Sequence, residues 1–218
     1  MRERERRVNF DQQVRIFDPA RAKPVTVIGI GSVGSQLALT LAKEGCADIT
    51  IWDGDEVASH NIPMSEYRIS DLMCPKTYAL TEIVEAATGT RIVANRRMYD
   101  GAPLKNSVVA CVDTMEARQL IWSKVKQNPF VDIFVDTRTA EEYIEVFAIR
   151  PCQPEDIEYY EHFLYPSAMA NRAMCGLHGA KHISGTAANA ACAALTEWWQ
   201  SLTTKRHLRM LCGHFQEV

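Results

Sequence analysis

The sequence predicts an α/β domain built on a doubly wound, mostly parallel sheet. Three observations carry this expectation. An apolar run from Val25 to Ile30 closes in Gly29-Ile30-Gly31-Ser32-Val33-Gly34. An apolar-periodic stretch follows, with Val33, Leu37 and Leu41 beside Ala38 and Ala42, and leads into a second short run, Ile49 to Trp52, that ends in Asp53. Two further apolar runs, Ser107 to Val112 and Val131 to Val135, each end in an aspartate and extend the sheet. Strand, glycine turn, helix, strand and acid, in that order, form the Rossmann-like βαβ unit that binds nucleotides.

Each glycine of the turn has its own task. Gly29 allows the tight turn, Gly31 lets the backbone approach a phosphate, and Gly34 lets helix and strand pack closely. The helix N-terminus then offers unpaired N–H groups and a partial positive charge to phosphates. Asp53 stands where a ribose hydroxyl would bind.

A chain of 218 residues is large enough for one well-packed domain. We divide it into an arm, residues 1–23, and a nucleotide-binding domain, residues 24–218. The formal charge of -3 offers no electrostatic footprint for nucleic acid. No apolar run is long enough to span a membrane. The opening residues, MRERERRVNF, carry charge without an apolar segment behind it, unlike a secretory signal. Seven cysteines without framework spacing suit reduced thiols, so the expected compartment is cytoplasmic.

The elements follow in order. In the arm, Phe10, Val14 and Phe17 are spaced as an apolar stripe on a helix. Gly54 to Pro75 holds two prolines and weak periodicity, so it reads as a loop with one helical turn. Pro75 opens a helix from about Lys76 to Ala87. Arg91 to Asn95 is a strand. Asp113 ends the run from Ser107, and Thr114 caps a helix from Met115 to Lys126. Asp136 ends the run from Val131. Tyr143 to Ile149 alternates as an antiparallel edge addition. Pro151 to Lys181 shows no regular pattern. Thr186 to Leu202 reads as a long alanine-rich helix, and His207 to Leu211 as a last strand.

Charge adds a constraint on the ligand. Asp113 ends a strand of the same sheet and faces the same crevice as the glycine turn. A carboxylate beside a phosphate is repulsive unless a metal bridges them, and Mg²⁺ takes one or two carboxylates plus phosphate oxygens. Asp113 with Lys76 therefore argues for ATP with magnesium.

Taken together, Gly29 to Gly34, Asp53-Gly-Asp55-Glu-Val57, Asn61, Pro75-Lys76 and Asp113-Thr-Met-Glu-Ala-Arg118 resemble the ThiF/MoeB family, the adenylating domain of ubiquitin-activating enzymes. The resemblance covers Val25 to Ile149 well and the rest loosely. It implies ATP and magnesium as cofactors, adenylation of a carboxylate such as the C-terminus of a small ubiquitin-like protein, and a homodimer. It assigns phosphate contacts to Gly29, Gly31, Gly34, Asn61 and Lys76, nucleotide contacts to Asp53 and Asp55, and the metal to Asp113. Two family arginines are absent. Met64 stands three residues after Asn61 where one is expected, and the arm arginine would fall near Gln12. Arg68 and Arg15 lie close enough in sequence to substitute. The family's paired Cys-x-x-Cys zinc motifs are also absent. Family members often carry an acyl-accepting cysteine after the sheet, and Cys175 is the candidate here.

Other residues admit two readings each. Cys175, His178 and His182 have metal-ligand spacing, but no fourth ligand is evident, which favours a simple loop cluster. Asp136 and Arg138 either orient a substrate carboxylate or form a local ion pair. Tyr159, Tyr160, Phe163 and Tyr165 suit a packed aromatic cluster better than a cradle for a partner's tail. Cys46, Cys111 and Cys192 read as core. Trp198 and Trp199 read as a helix–sheet or subunit contact. Two rival functions remain: a dinucleotide-dependent oxidoreductase, which leaves Lys76 and Asp113 unexplained, and a catalytically reduced nucleotide-binding scaffold.

Overall fold

The computed structural model describes residues 8–140, 143–165 and 180–211. Seven strands form one sheet in the order β3-β2-β1-β4-β5-β6-β7. Their ranges are β1 Val25–Ile28, β2 Ile49–Trp52, β3 Val93–Asn95, β4 Asn106–Ala110, β5 Val131–Thr139, β6 Tyr143–Ile149 and β7 His207–Leu211. β1 pairs in parallel with both β2 and β4, and β4 pairs in parallel with β5. The chain thus reverses its direction of winding between β1 and β4, the topological switch point where open α/β sheets bind ligands. β6 and β7 add antiparallel strands to the far side. β6 is therefore an interior strand and not the expected edge, because β7 covers it.

The helices are α1 Ser32–Lys43, α2 Lys76–Thr88, α3 Met115–Val125, α4 Pro154–Glu161 and α5 Lys181–Ser201. Thr114 caps α3 as expected, its hydroxyl accepting from the Ala117 N–H at 3.3 Å. α4 falls in the stretch that lacked a sequence pattern. Its signals were present at its start, with Pro154 in the first turn beside Glu155 and Asp156. α5 begins five residues earlier than its alanine-rich part. Gly185 lies inside it, where an added Cβ would come 3.1 Å from the Gln36 side chain of α1. Close packing on α1 thus offsets the helix cost of that glycine.

Two cores flank the sheet. On one face α1, α2 and α5 pack Leu37, Leu41, Leu80, Ala187, Ala191 and Leu195 onto β1, β2 and β5. On the other, Trp122, Phe134, Phe147 and Tyr160 meet edge to face or tilted, with Tyr160 fully buried. Of the aromatic run, Tyr160 is therefore core, with Tyr159 and Phe163 half-buried against it.

The described part of the arm is a series of turns and one 3-10 turn, Pro19–Arg21, instead of a continuous helix. Local side-chain bonds compete with the helix: Asn9 accepts from the Asp11 N–H and Asp18 from the Ala20 N–H. The apolar stripe divides. Phe17 is buried beside Trp199, with ring centroids 6.1 Å apart, Phe10 is half-buried, and Val14 stays exposed. Trp199 also donates to the Ser107 hydroxyl at 2.9 Å, tying α5 to β4.

Candidate active site

The sequence of the glycine turn dictates the floor of the site. Gly29 has φ +83, and a Cβ there would sit 2.7 Å from the Cys111 carbonyl oxygen. At Gly34 a Cβ would meet the Gly29 carbonyl oxygen at 2.0 Å. Only glycine permits this approach of α1 to the end of β1. Around Gly31, by contrast, nothing lies within 4 Å of an added Cβ. The space that an incoming phosphate would need is open at that residue.

Two buried side chains hold the turn at Ile30. Asp53 accepts from the Ile30 N–H at 2.9 Å, and the Tyr67 hydroxyl donates to the Ile30 carbonyl at 2.6 Å. Asp53 accepts from the Asp55 N–H as well, at 2.8 Å. Burial pushes the Asp53 carboxyl above its ordinary pKa, against the pull of Lys76 and of both N–H groups. Sequence reasoning missed Tyr67. It is a lone aromatic in an irregular loop, and only its hydroxyl's partner reveals its task.

Backbone pairing delivers Lys76. Val57 donates to the Cys74 carbonyl and Lys76 to the Asp55 carbonyl, so the segment before α2 lies antiparallel to the segment after β2. The Lys76 ammonium consequently stands 2.8 Å from Asp55 and 4.0 Å from Asp53. Lys76 is buried, while the Asp55 side chain is 50% exposed.

The turn opens into a cavity of about 520 Å³ at the β1/β4 switch point. Gly29, Gly31, Asp53, Asp55, Asn61, Lys76 and Asp113 all line it. Six of the expected positions thus converge with Asp113, although sequence separates them by up to 84 positions. Gly34 lies beneath, in packing. Asn61 is partly engaged, its side-chain oxygen accepting from the Ala58 N–H at 2.9 Å. The lining also holds apolar and aromatic side chains, among them Ile28, Met98, Tyr99, Leu120 and Ile121. Such a mixture suits a ligand with a flat apolar part and a charged part.

Asp113 is exposed, and the loop that carries it is rigidly held. Arg118, buried in α3, donates to the carbonyls of Val112, Thr114 and Thr137 and pairs with Asp136 at 2.8 Å. Asp136 itself is fully buried inside β5, not at its end. It also pairs with Arg138 at 2.8 Å and accepts from the Tyr160 hydroxyl at 3.0 Å. Of the two readings of Asp136-x-Arg138, this geometry supports the local ion pair.

Several expectations fall elsewhere. Arg68 does not line the cavity; Asp71 holds its guanidinium through two bonds of 3.0 and 3.1 Å. Short spacing to Met64 did not place it in the site, because the 3-10 turn at Ile69–Asp71 aims it at its own loop. Met64 lines the cavity without charge. Cys175 and His178 lie outside the described residues, and His182 is exposed at the start of α5. Cys111 is half-buried, packing against the core and also lining the cavity. Burial pushes its thiol up to about 12, so it is no ready nucleophile. Among the described residues, no group of three His, Cys, Asp or Glu side chains could hold a metal, and no helix is long and apolar enough to cross a membrane.

Comparison with known proteins agrees with this architecture. The model of the ThiF family matches residues 11–215. No curated protein matches the chain. Among solved structures, PaaA superposes with a TM-score of 0.72 at 14% identity, over 91% of this chain and 64% of that one. E. coli MccB with ATP gives 0.69 at 13% identity, over 93% and 64%. E. coli MccB with MccA gives 0.71 at 12% identity, over 93% and 64%. The chain spans less than two thirds of the length of these structures, and at such identities the likeness is one of fold. With the family model spanning nearly the whole sequence and the glycine turn, Lys76 and Asp113 meeting at the switch point, the chain belongs to the ThiF family.

Proposed function

We propose that this protein adenylates a carboxylate with ATP and magnesium, the carboxylate being the C-terminus of a small protein of ubiquitin-like type. One observation carries the reading. The glycine turn, Lys76 and Asp113 line a single cavity together with apolar side chains such as Met98, Leu120 and Ile121. The open space at Gly31 fits a phosphate against the α1 N-terminus. Asp113, exposed at the mouth, fits a role as magnesium ligand, since that ion takes few protein carboxylates beside phosphate oxygens.

In this reading Gly29 and Gly34 shape the turn, Gly31 admits the phosphates, and Asn61 and Lys76 contact them. Asp53 takes the ribose with lone pairs not used by Ile30 and Asp55. Asp55 holds Lys76 poised until the nucleotide competes for it. The acceptor carboxylate attacks the α-phosphate and pyrophosphate leaves. No protein nucleophile is required for that step, only positioning and charge neutralisation. Cys175 would accept the acyl group afterwards, and a homodimer would bring the arm toward its neighbour. MccB, described as a microcin C7 biosynthetic enzyme in complex with N-formylated MccA, is the neighbour that motivates a peptide C-terminus as the acceptor.

Calorimetric titration of ATP and NAD, each with and without magnesium, tests the proposal. Magnesium-dependent ATP binding with pyrophosphate exchange supports it; tight NAD binding without ATP binding ends it. A second reading, a nucleotide-binding scaffold with reduced catalysis, is favoured by the uncharged Met64 and by Arg68 standing outside the cavity. ATP binding without exchange under any acceptor would select it.

A further inference from the structure

The charges lining the cavity do not balance for a polyphosphate. Three carboxylates face it, Asp53, Asp55 and Asp113. Against them stands one lysine, and Lys76 already pairs with Asp55 at 2.8 Å and approaches Asp53 at 4.0 Å. Among the described residues of the lining, the other side chain that can carry positive charge is His60. It is exposed and sits in the 3-10 turn Ser59–Met64, directly before Asn61. Its imidazole makes no hydrogen bond or ion pair with a described residue.

The backbone under His60 is firmly placed. Gln36 of α1 donates to the Met64 carbonyl at 3.1 Å, and Ser184 of α5 donates to the same oxygen at 2.9 Å. Lys181 donates to the Ser65 carbonyl at 2.7 Å and pairs with Glu66. Charged groups that flank the turn are therefore engaged elsewhere: Glu66 with Lys181, and Glu56 with Arg96 at 3.6 Å. The charged groups that share the cavity lining with His60 are Asp53 and Asp55 after β2, Lys76 of α2 and Asp113 after β4.

We propose that His60 is the second phosphate-binding cation of this cavity, contacting the nucleotide polyphosphate beside Asn61 and making nucleotide affinity fall as pH rises. This deepens the adenylation reading and rests on it. Histidine changes charge near neutrality, whereas lysine and arginine do not. A site that relies on an imidazole in place of a permanent cation therefore binds a polyphosphate more tightly when mildly acidic.

The test is titration of ATP with saturating magnesium at about pH 6 and about pH 8, for the wild type, His60→Gln and His60→Arg. Comparison with His60→Gln removes the nucleotide's own titration. The wild type should lose about tenfold in affinity across this range relative to His60→Gln, the scale of one charge-assisted bond. At pH 8 the two should be equal within error, and His60→Arg should bind tightly at both pH values. Because His60 is exposed, the variants should melt with the wild type, which thermal unfolding checks. Identical affinities and pH slopes in wild type and His60→Gln overturn the inference while leaving the adenylation reading intact. A wild type that binds no ATP at either pH overturns both.

Discussion

Asp113 and Asp136 follow or lie in neighbouring parallel strands, β4 and β5, and both come from an apolar run capped by an aspartate. Their surroundings differ in kind. Asp136 is fully buried between two guanidiniums and a phenol, all bonded to it within 3.0 Å. Asp113 is exposed at the mouth of the cavity. The difference arises from topology. β4 borders the switch point, where the chain winds away in both directions and leaves a crevice. β5 runs on past Asp136 to Thr139 and pairs with β6, and α4 brings the Tyr160 hydroxyl onto Asp136. A carboxylate that closes an apolar run is thus available for ligands only where the strand stops there and leaves it uncovered. Covered, the same group becomes a buried ion pair that holds the loop of its neighbour through Arg118.

The sharpest way to break this comparison is to remove each acid in turn. Asp136→Ala should cost ~3–5 kcal/mol of stability, because it strands two buried cations. Denaturant unfolding measures it. Asp113→Ala should leave stability unchanged within ~0.5 kcal/mol and abolish the magnesium dependence of ATP binding. Equal stability losses in the two variants would erase the distinction.

Lys76 tests the open region alone. Lys76→Ala should weaken ATP binding by about 1–3 kcal/mol, the scale of a charge-assisted hydrogen bond. A smaller loss would mean that Asp55 keeps the ammonium from the nucleotide. Tyr67→Phe asks whether the floor of the open region is itself built like the closed one. It leaves the buried Ile30 carbonyl without its hydroxyl donor, so about 1 kcal/mol of stability should go, with weaker nucleotide binding beside it.

The smallest effect concerns acid. Asp156, at the start of α4, is another covered carboxylate of the antiparallel side. Burial alone would raise its pKa, but Arg150 through side chain and backbone, with Arg206, holds it below the ordinary carboxylate range. A lowered pKa contributes stability that is present above the unfolded value and lost as pH falls through the folded one. Between about pH 5 and about pH 2 the wild type should therefore lose more stability than Asp156→Asn. Equal acid sensitivity in both proteins would contradict the ion-paired assignment.

Much of the parallel half was legible in sequence. Local signals specify it: the glycine turn, Pro75 before Lys76, Thr114 before α3, and apolar runs whose lengths match strands. The antiparallel side was less legible. β6 looked like an edge because its alternation says nothing about what pairs on its outer side. α4 was overlooked because its eight residues bury Ile157 and Tyr160 against partners remote in sequence. The site followed the same division. Gly29, Gly31, Asp53, Lys76 and Asp113 could be named from local pattern and chemistry and Asn61 from the family resemblance, whereas Tyr67 and His60 lie in a loop without periodicity and Arg68 was misplaced there.

The sequence by itself determined the βαβ unit, the parallel strands and helices that follow it, and that Asp53, Lys76 and Asp113 gather near the glycine turn. Those follow from backbone conformational preference and from burial of periodic apolar faces, which are properties of short stretches. Tertiary structure alone decided which acids are free, which cations are spent on them, and that a histidine shares the cavity with three aspartates. Charge availability depends on what covers a group and who stands within a few ångströms of it, and those neighbours come from distant parts of the chain.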